Sequence, residues 1–347
     1  MKVVAFVGSR ANWGRLKSLC KELTDRNHDL TVILGASGYK LDIPYKNIVL
    51  PNLLENNDCM SMAVTTGLLT TQIAPFLNEI KPDVVIIHGD RHECLGVAIA
   101  ASYMNIPLCQ TEGGESTGTI DDKVRYSITA LADYHFPVTE LSAYRLGEIK
   151  GLSEHDISWC SKPAKMYFKQ GNIYRVGSTA FDGLQYIKEM GNYAVILHHP
   201  NTTDPEDITP LIEAVEELDI PKIWVNPNVD AGSKAILKKI HQLKKVVFMK
   251  DLSPEQYIDL ISQCRVLIGN TSSMIKEGSY LGIPAVCVGN RQNGRETDTN
   301  VIRVPMDKDS ILKTVGEQLK HGRYEQSFKF GDGQAAKKIV DVLEEVL

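Results

Sequence analysis

The sequence predicts an α/β protein with two doubly wound parallel sheets that face each other across a cleft. Short apolar runs rich in β-branched residues alternate with helix-period stretches along the whole chain. The runs are nearly continuous rather than alternating, which is typical of parallel strands covered by helices on both faces. A polar stretch of weak periodicity at about 150–175 interrupts this alternation, which then restarts. Because 347 residues exceed what one ordinary core needs, we expect two domains.

The apolar runs are the predicted strands, and the stretches between them, such as GRLKSLCKELTDRN and PLIEAVEELDIP, are the predicted helices. The alternation restarts after VGSTAFDG, so we place a domain boundary near Ser178, with one domain over 1–177 and another over 178–330. The strands are expected at 3–8, 30–35, 84–89, 193–199, 222–227, 246–249, 266–270 and 284–289, and a further strand, PLCQT, is expected directly before EGGE.

Charge and composition argue against several classes of protein. The net charge is −5, from 38 basic and 43 acidic residues, and no basic stripe is present, so no nucleic-acid partner is expected. No apolar run approaches the roughly 20 residues of a membrane span, so no membrane partner is expected either. The opening MKVVAFVGSR has too short an apolar core for a secretory signal, which predicts a first buried strand and a cytoplasmic location. The seven cysteines are scattered singly without metal-ligand spacing, which predicts reduced thiols and no metal site.

Polar residues follow the predicted strands repeatedly. The strand ends run into SRANWGR, GDRHE, EGGE, PNTTD, NPNVDAGS, NTSS and NRQNGR. In open parallel sheets ligands bind at the carboxyl ends of the strands, so these ends predict one shared site between two Rossmann-like domains. Neither a GxGxxG fingerprint nor a P-loop motif occurs, which argues against a dinucleotide dehydrogenase and a P-loop NTPase.

The stretch GNTSSMIKEGSYLG, at 269–282, predicts a binding turn for an anion. Free N–H groups at the start of a helix attract anions, and the hydroxyls of Thr271, Ser272 and Ser273 add donors. Ordinary N-capping is the alternative interpretation of this turn. Glu277, farther along the same helix, could reach a ribose diol. The arginines after the first and last predicted strands suit a diphosphate, and they are Arg10, Arg15, Arg291 and Arg295.

Carboxylates and histidines at other strand ends are candidates for acid and base chemistry. Asp90 lies two residues beyond a strand in HGDRHE, where a helix cap is the usual role. In HHPNTTD, His199 is nearer the loop than His198 and is the favoured site residue. In CQTEGGESTGTIDDKVRY, Glu112 directly follows a strand, while for Asp121 a helix cap and a chemical role are equally open.

Together these motifs are similar to those of the UDP-N-acetylglucosamine 2-epimerase family. GDRHE, EGGESTGTIDDKVRYSITALADYHF, HHPNTTD, NPNVDAGSK and GNTSSMIKEGSYLGIPAVCVGNRQNGRE occur in that family's order and spacing and cover nearly the whole chain. GDRHE and EGGE resemble its hydrolysing branch, which forms N-acetylmannosamine for sialic acid synthesis. The resemblance implies a GT-B-like fold, a nucleotide held mainly by the C-terminal domain, and a homodimer or homotetramer. It also implies that a last helix, over 331–347, crosses back to the N-terminal domain.

The resemblance further implies which carboxylates do the chemistry. Asp90, Glu112 and Asp122 match the acid and base carboxylates of the family. Asp122 is preferred to Asp121 because it keeps the family's spacing to Arg125. The two remaining acids of CQTEGGESTGTIDDKVRY, Glu115 and Asp121, are then expected to support the geometry of the loop and the helix.

His199 matches the family's histidine near the leaving diphosphate. Two positions depart from the family pattern, because Asn12 and Arg15 stand where Asp and Lys are frequent. The segment 153–172 is also longer than the usual connection, and we interpret it as a surface insertion. The ligands expected for the nucleotide and its phosphates, from the residues and the resemblance together, are Arg10, Arg15, Arg91, Asn228, Asn270, Thr271, Ser272, Ser273, Glu277, Arg291 and Arg295.

The expected function is a cytoplasmic enzyme that converts UDP-N-acetylglucosamine and water into N-acetylmannosamine and UDP. The family's route is elimination to 2-acetamidoglucal followed by hydration. Side chains supply the acid and base chemistry, so no cofactor is expected. Three alternatives stay open: a 2-epimerase for a GDP-linked 2,4-diacetamido sugar of the legionaminic acid pathway, a glycosyltransferase of the same fold, and a nucleotide-sugar binding protein.

Overall fold

Two six-stranded parallel sheets organise the chain in the computed structural model, which describes residues 1–50, 58–151, 172–227, 230–250 and 252–347. We call the parts built on them the N-terminal half and the C-terminal half. The first sheet contains β1 (Lys2–Val7), β2 (Asp29–Leu34), β3 (Asn47–Val49), β4 (Val84–His88), β5 (Leu108–Thr111) and β6 (Tyr134–Phe136). The second contains β7 (Ala194–Leu197), β8 (Lys222–Val225), β9 (Val247–Met249), β10 (Val266–Gly269), β11 (Ala285–Val288) and β12 (Val301–Val304).

Helices connect the strands in both halves. Many begin at a side-chain cap: Ser9 accepts a hydrogen bond from the backbone N–H of Asn12 at 3.2 Å, and Ser253 forms a capping box with Gln256. No described helix is both long and apolar enough to cross a membrane. The described helices are α1 (Arg10–Asp25), α2 (Cys59–Ile80), α3 (His92–Tyr103), α4 (Ile120–Leu131), α5 (Glu140–Ile149), α6 (Thr209–Glu217), α7 (Ser233–Ile240), α8 (Pro254–Ser262), α9 (Lys276–Tyr280), α10 (Lys308–His321) and α11 (Ala335–Val346).

The two sheets share one strand order. The first runs β3-β2-β1-β4-β5-β6 and the second β9-β8-β7-β10-β11-β12. Alternate residues of each central strand enter different cores, because successive side chains of a strand point to opposite faces. Val3 and Ala5 lie in one core cluster of the N-terminal half, and Val4 and Phe6 lie in the other. The predicted fold class, two doubly wound Rossmann-like units in a GT-B-like arrangement, is confirmed.

The strands that the sequence does not predict are β3, β6 and β12. Each is three or four residues long and lies at the edge of its sheet, where half of the backbone groups have no neighbouring strand. The residue limits of the two domains stay a prediction. The segment 153–172 lies outside the described residues except for its last position.

The last helix of the chain packs on the first. Ile339, Val340 and Leu343 of α11 belong to a core cluster of the N-terminal half together with residues of α1 and β1. Arg26, which follows α1, binds the carboxylate of Asp341 at 2.7 Å. The start of α11 is held by Asp182, whose carboxylate accepts the N–H groups of Ala335 and Ala336 at 2.8 Å each. α11 thus completes a core whose other residues come from the N-terminal half.

A buried histidine in β6 gives the fold a pH-dependent stability. His135 is fully buried, and burial, together with the nearby Lys150, lowers its pKa to about 3. Unfolding restores an ordinary pKa near 6.5, so the unfolded chain binds this proton first and stability falls as the pH drops from about 6.5 towards 3. We expect His135→Leu to reduce that fall by up to about 1.4 kcal/mol per pH unit, measured by urea unfolding between pH 6 and 4. An unchanged slope would contradict the assignment.

Candidate active site between the two halves

A polar cleft lies where the carboxyl ends of both sheets meet. In each sheet the connections reverse direction between two central strands, β1 and β4 or β7 and β10, and a doubly wound sheet binds ligands at this point. The cleft encloses about 1080 Å³, counting its solvent-open part. Its walls include carboxylates and cations from both halves: Arg15, Asp90, Arg91, Glu112, Glu115, Asp121, Asp230, Lys276, Arg291 and Arg295.

Glu112 is directed into the cleft by an unusual backbone conformation. It follows β5 with a φ of 59°, in the left-handed region that residues other than glycine seldom adopt. Its N–H nevertheless donates to the carbonyl of Phe136 at 2.9 Å, so the turn is anchored to the neighbouring strand. Such a conformation costs roughly 1–2 kcal/mol and is frequent at functional sites.

Three groups surround the Glu112 carboxylate. Lys276 Nζ lies 2.5 Å from Oε2, the hydroxyl of Ser178 donates to Oε1, and His88 Nε2 lies 3.7 Å from Oε2. Burial alone would raise the pKa of Glu112, but Lys276, His88 and Arg15 outweigh it and hold that pKa well below its usual range. The carboxylate is therefore ionised at neutral pH.

Asp90 is ionised for a similar reason. The fully buried guanidinium of Arg125 donates to its carboxylate, and Arg295 Nη2 lies 3.6 Å away. Burial opposes ionisation of Asp90, but the two arginines prevail and lower its pKa. Arg125 also donates to the carbonyl of Glu115 at 2.8 Å, so one buried cation fixes both an acid and the loop beside it.

Asp121 has the opposite electrostatic character. Its side chain lines the cleft, and burial together with the negative charge of Asp90 raises its pKa to about 6, against the opposing effects of Arg291 and Arg91. A carboxyl group with this pKa carries a proton part of the time near neutral pH. Asp121 is therefore the cleft carboxylate best suited to donate a proton.

Asp122 lies outside the lining of the cleft. Its carboxylate accepts the N–H groups of Thr117 at 2.8 Å and Gly118 at 2.7 Å, and it forms an ion pair with Arg125. Burial opposes ionisation of this group, but the backbone hydrogen bonds lower its pKa. The catalytic role of Asp122 stays a prediction, and the geometry favours Asp121 instead. The spacing to Arg125 that recommended Asp122 places it against that arginine, as positions i and i+3 of α4.

Glu115, expected to support the loop, lines the cleft and joins the two halves. Lys276 Nζ lies 2.5 Å from its Oε1, and Arg295 Nη1 lies 3.2 Å from its Oε2. Burial would raise the pKa of Glu115, but Arg295 and Lys276 lower it.

The cations of the cleft differ in whether a carboxylate neutralises them. Arg15 lies 2.9 Å from Glu277, and Arg91 lies 3.0 Å from Asp230. Arg291 instead donates to the carbonyl of Asn270 at 3.2 Å, and no carboxylate in the described part of the chain lies within ion-pair distance of it. Burial lowers the pKa of Arg291, which means that the charged form of this side chain is destabilised. A bound anion would stabilise it.

The predicted anion-binding turn has a different structure from the one expected. Ser272–Met274 form a 3₁₀ turn and α9 has five residues, too short for a large macrodipole. Ser272 lines the cleft, whereas Thr271 and Ser273 hydrogen-bond to each other at 2.9 Å. Lys276 and the arginines, rather than a long helix, supply the positive charge of this wall.

Other predicted site residues, among them Asn270, His199 and Arg10, lie outside the lining of the cleft. The side-chain amide of Asn270 accepts the N–H of His199 at 2.7 Å and donates to the His199 carbonyl at 2.9 Å, which ties β10 to the end of β7. His199 is buried, and burial and Arg291 lower its pKa to about 3. Arg10 donates to the carbonyl of Leu252 at 3.4 Å, outside the cleft lining. Asn228 lies outside the described residues.

Lys276, like Asp230, is a charged cleft residue that the sequence interpretation did not single out. It stands in TSSMIKEG, between the apolar runs VLIG and IPAVCVG, and a lysine in such a buried segment could have signalled an internal ion pair. Within the described residues, no group of three or more His, Cys, Asp or Glu side chains is arranged to hold a metal ion.

The fold and the cleft define a two-domain α/β protein of the GT-B-like class, with charged groups of both halves facing one binding space. The chain belongs to the UDP-N-acetylglucosamine 2-epimerase family, whose model matches residues 24–344. The family membership predicted from the motifs is confirmed.

Relatives are similar along nearly the full chain. A protein of Legionella pneumophila named UDP-N,N'-diacetylbacillosamine 2-epimerase (hydrolyzing) is 28% identical, over 99% of this chain and 96% of the relative. A UDP-N-acetylglucosamine 2-epimerase of Neisseria meningitidis is 27% identical, over 96% and 91%. A GDP/UDP-N,N'-diacetylbacillosamine 2-epimerase (hydrolyzing) of Campylobacter jejuni is 29% identical, over 87% and 83%.

Solved structures share the fold. The UDP-GlcNAc 2-epimerase of Neisseria meningitidis, bound to UDP-GlcNAc, has a TM-score of 0.78 at 17% identity, over 99% of this chain and 100% of that one. The Methanocaldococcus jannaschii enzyme, in complex with UDP-GlcNAc and UDP, also has a TM-score of 0.78, at 19% identity and with the same coverage.

Proposed function

We propose that the protein is a hydrolysing nucleotide-sugar 2-epimerase that converts UDP-N-acetylglucosamine and water into N-acetylmannosamine and UDP. The observation that carries this proposal is the set of carboxylates in the cleft wall. Asp90 and Glu112 are held ionised, while the pKa of Asp121, about 6, lets it hold a proton. Removal of a proton from C2 and later return of a proton to the same carbon need such a combination of base and acid.

The cations on the other side of the cleft suit the nucleotide diphosphate. Arg291 and Arg295 follow β11, Ser272 follows β10, and all three line the cleft. Arg291 has no carboxylate partner among the described residues, so a phosphate oxygen would complete its surroundings. His199 is a neutral imidazole at working pH, because its pKa is near 3, so its contribution to a departing diphosphate is a hydrogen bond rather than a charge.

In the elimination, the C1–O bond to UDP breaks, the proton at C2 is removed, and a C1–C2 double bond forms. Glu112 or Asp90, both ionised, takes the proton. In the hydration, water adds its hydroxyl group to C1 and releases its other proton, and a proton adds to C2 on the face opposite the original one. Asp121 is the group that we expect to donate this proton. Because the C2 proton is not acidic in the substrate, positioning and stabilisation of the leaving UDP must supply much of the rate.

The test is incubation of the purified protein with UDP-N-acetylglucosamine in heavy water, followed by NMR and mass spectrometry. We expect UDP and N-acetylmannosamine with deuterium at C2. N-acetylmannosamine without deuterium would contradict the mechanism. Recovery of only intact UDP-sugar, with no UDP released, would contradict it equally. Sugar transfer to an added acceptor, without these products, would favour a glycosyltransferase.

A UDP- or GDP-linked 2,4-diacetamido sugar is the second candidate substrate. The names of the Legionella and Campylobacter relatives support it, because both specify N,N'-diacetylbacillosamine. A panel of UDP- and GDP-linked 2-acetamido sugars, with and without a 4-acetamido group, distinguishes the candidates by kcat/KM. We further propose a homodimer or homotetramer acting in the cytoplasm, which sedimentation equilibrium and cell fractionation test.

A further inference from the structure

Lys276 connects the two halves of the protein at the centre of the cleft. It is the first residue of α9 in the C-terminal half, and its side chain is 3% exposed. Its Nζ lies 2.5 Å from Glu112 Oε2 and 2.5 Å from Glu115 Oε1, and both carboxylates belong to the N-terminal half. One ammonium group is therefore shared by two carboxylates across the boundary.

The remaining surroundings of Glu112 do not replace this contact. Ser178 donates a hydrogen bond to the other carboxylate oxygen, and His88 lies 3.7 Å away with its pKa lowered to about 4, so the imidazole is neutral near pH 7. Arg15 is engaged by Glu277 at 2.9 Å. The titratable or charged groups that act on Glu112 are Lys276 from α9, His88 from the end of β4, Arg15 from α1, and Glu115 from its own loop.

We propose that Lys276 is a positioning residue for the reaction, which holds Glu112 as a carboxylate and fixes its side chain only when the two halves are closed on each other. This inference rests on the function proposed above, since it assigns a purpose to the ionised Glu112. The contact joins residues 164 positions apart in the sequence and on different sheets, so it exists only in this arrangement of the halves. The arrangement of the two halves and the ionisation of Glu112 are thereby linked.

The electrostatics agree with this geometry. Burial of Glu112 favours the neutral acid, and Lys276 is the largest influence in the opposite direction. Removing the ammonium group should leave a buried carboxyl beside Glu115, a like charge, and both effects raise its pKa.

The test is a titration of the ligand-free protein by NMR, with ¹³C in the glutamate side-chain carboxyls and Glu112→Gln to assign the resonance. In the wild type we expect the pKa of Glu112 well below its ordinary value of about 4.3. Lys276→Met should raise it by at least about one unit, a tenfold change in the ratio of acid to carboxylate. Lys276→Arg should keep it near the wild-type value, and the exposed Lys313→Met, on α10, serves as the control for loss of a lysine.

Kinetics supply the second measurement. The acid limb of kcat/KM should move to higher pH in Lys276→Met by the same amount, and Lys276→Arg should restore it. An unchanged Glu112 titration in Lys276→Met overturns the inference about Lys276 alone. If that variant does not fold, a wild-type Glu112 that titrates at or above about 4.3 overturns it equally. Absence of turnover in the wild type refutes the proposed function itself, whatever the titration shows.

Discussion

Replacing Asp121 by asparagine is expected to lower kcat about 100-fold or more, because the variant cannot donate a proton in the hydration step. Stability should not fall. The pKa of Asp121 is raised to about 6, so the folded state loses stability as the pH rises from the ordinary aspartate pKa of about 3.9 to about 6, and the whole of this loss is present at pH 7. At pH 7 Asp121→Asn should therefore unfold at the same urea concentration as the wild type or a higher one. The wild-type rate should decrease as the pH rises through the pKa of Asp121 in the enzyme–substrate complex.

Asp122→Asn is the matched control, one residue farther along α4. Its carboxylate accepts hydrogen bonds from Thr117 and Gly118, so the variant should lose about 1–3 kcal/mol of unfolding free energy. Because its pKa is lowered, this stabilisation is present above about pH 4 and disappears at lower pH. Turnover per folded molecule should fall much less than in Asp121→Asn. The reverse pattern of rates would establish Asp122 as the acid or base.

Gly114→Ala is expected to destabilise the protein by about 3 kcal/mol or more and to abolish turnover. Gly114 has a φ of +78°, and a methyl group there would lie 2.0 Å from the carbonyl oxygen of Ser142 in α5. That oxygen belongs to the backbone, so the loop itself must move. The loop also carries Glu112 and Glu115, whose ion pairs with Lys276 at 2.5 Å would be displaced.

Gly118→Ala separates this clash from backbone strain. Gly118 has a φ of +81°, almost the same as Gly114, but nothing lies within 4 Å of an added methyl group. Its cost should be only the roughly 1–2 kcal/mol of a left-handed alanine. Urea unfolding and turnover of both variants provide the comparison. Equal losses in the two variants would show that the contact with Ser142 is unimportant.

The sequence was sufficient for the fold because the central strands are continuous apolar runs. Runs such as VVAFVG and VVIIHG are typical of strands in a parallel sheet that is covered by helices on both faces. The edge strands β3, β6 and β12 carry mixed residues over three or four positions, so their pairing depends on the neighbouring strand rather than on their own pattern. Strand-end positions also predicted a shared polar site, and the structure brings Asp90, Glu112 and Arg291 into one cleft.

Side-chain direction was harder to predict than position along the chain. Asp121 and Asp122 differ by about 100° around α4, so only the true start of the helix decides which one faces the cleft. Thr119 caps that helix by accepting the N–H of Asp121, and this places Asp122 against Arg125. The contact of Lys276 with Glu112 depends on how the two sheets are placed relative to each other, and no local sequence pattern contains that information.

The packing of α11 on α1 has a consequence for how the protein is made. A ribosome releases the chain from its N-terminus, so β1 to β6 and α1 emerge first. The core cluster that contains α1 still lacks Ile339, Val340 and Leu343 at that stage, and these residues are synthesised only after the whole second sheet. We therefore expect a nascent chain that stops before 335 to expose the apolar face of α1 and to be cut readily by protease, while the full chain resists. The two halves would then reach their final stability together rather than in order of synthesis.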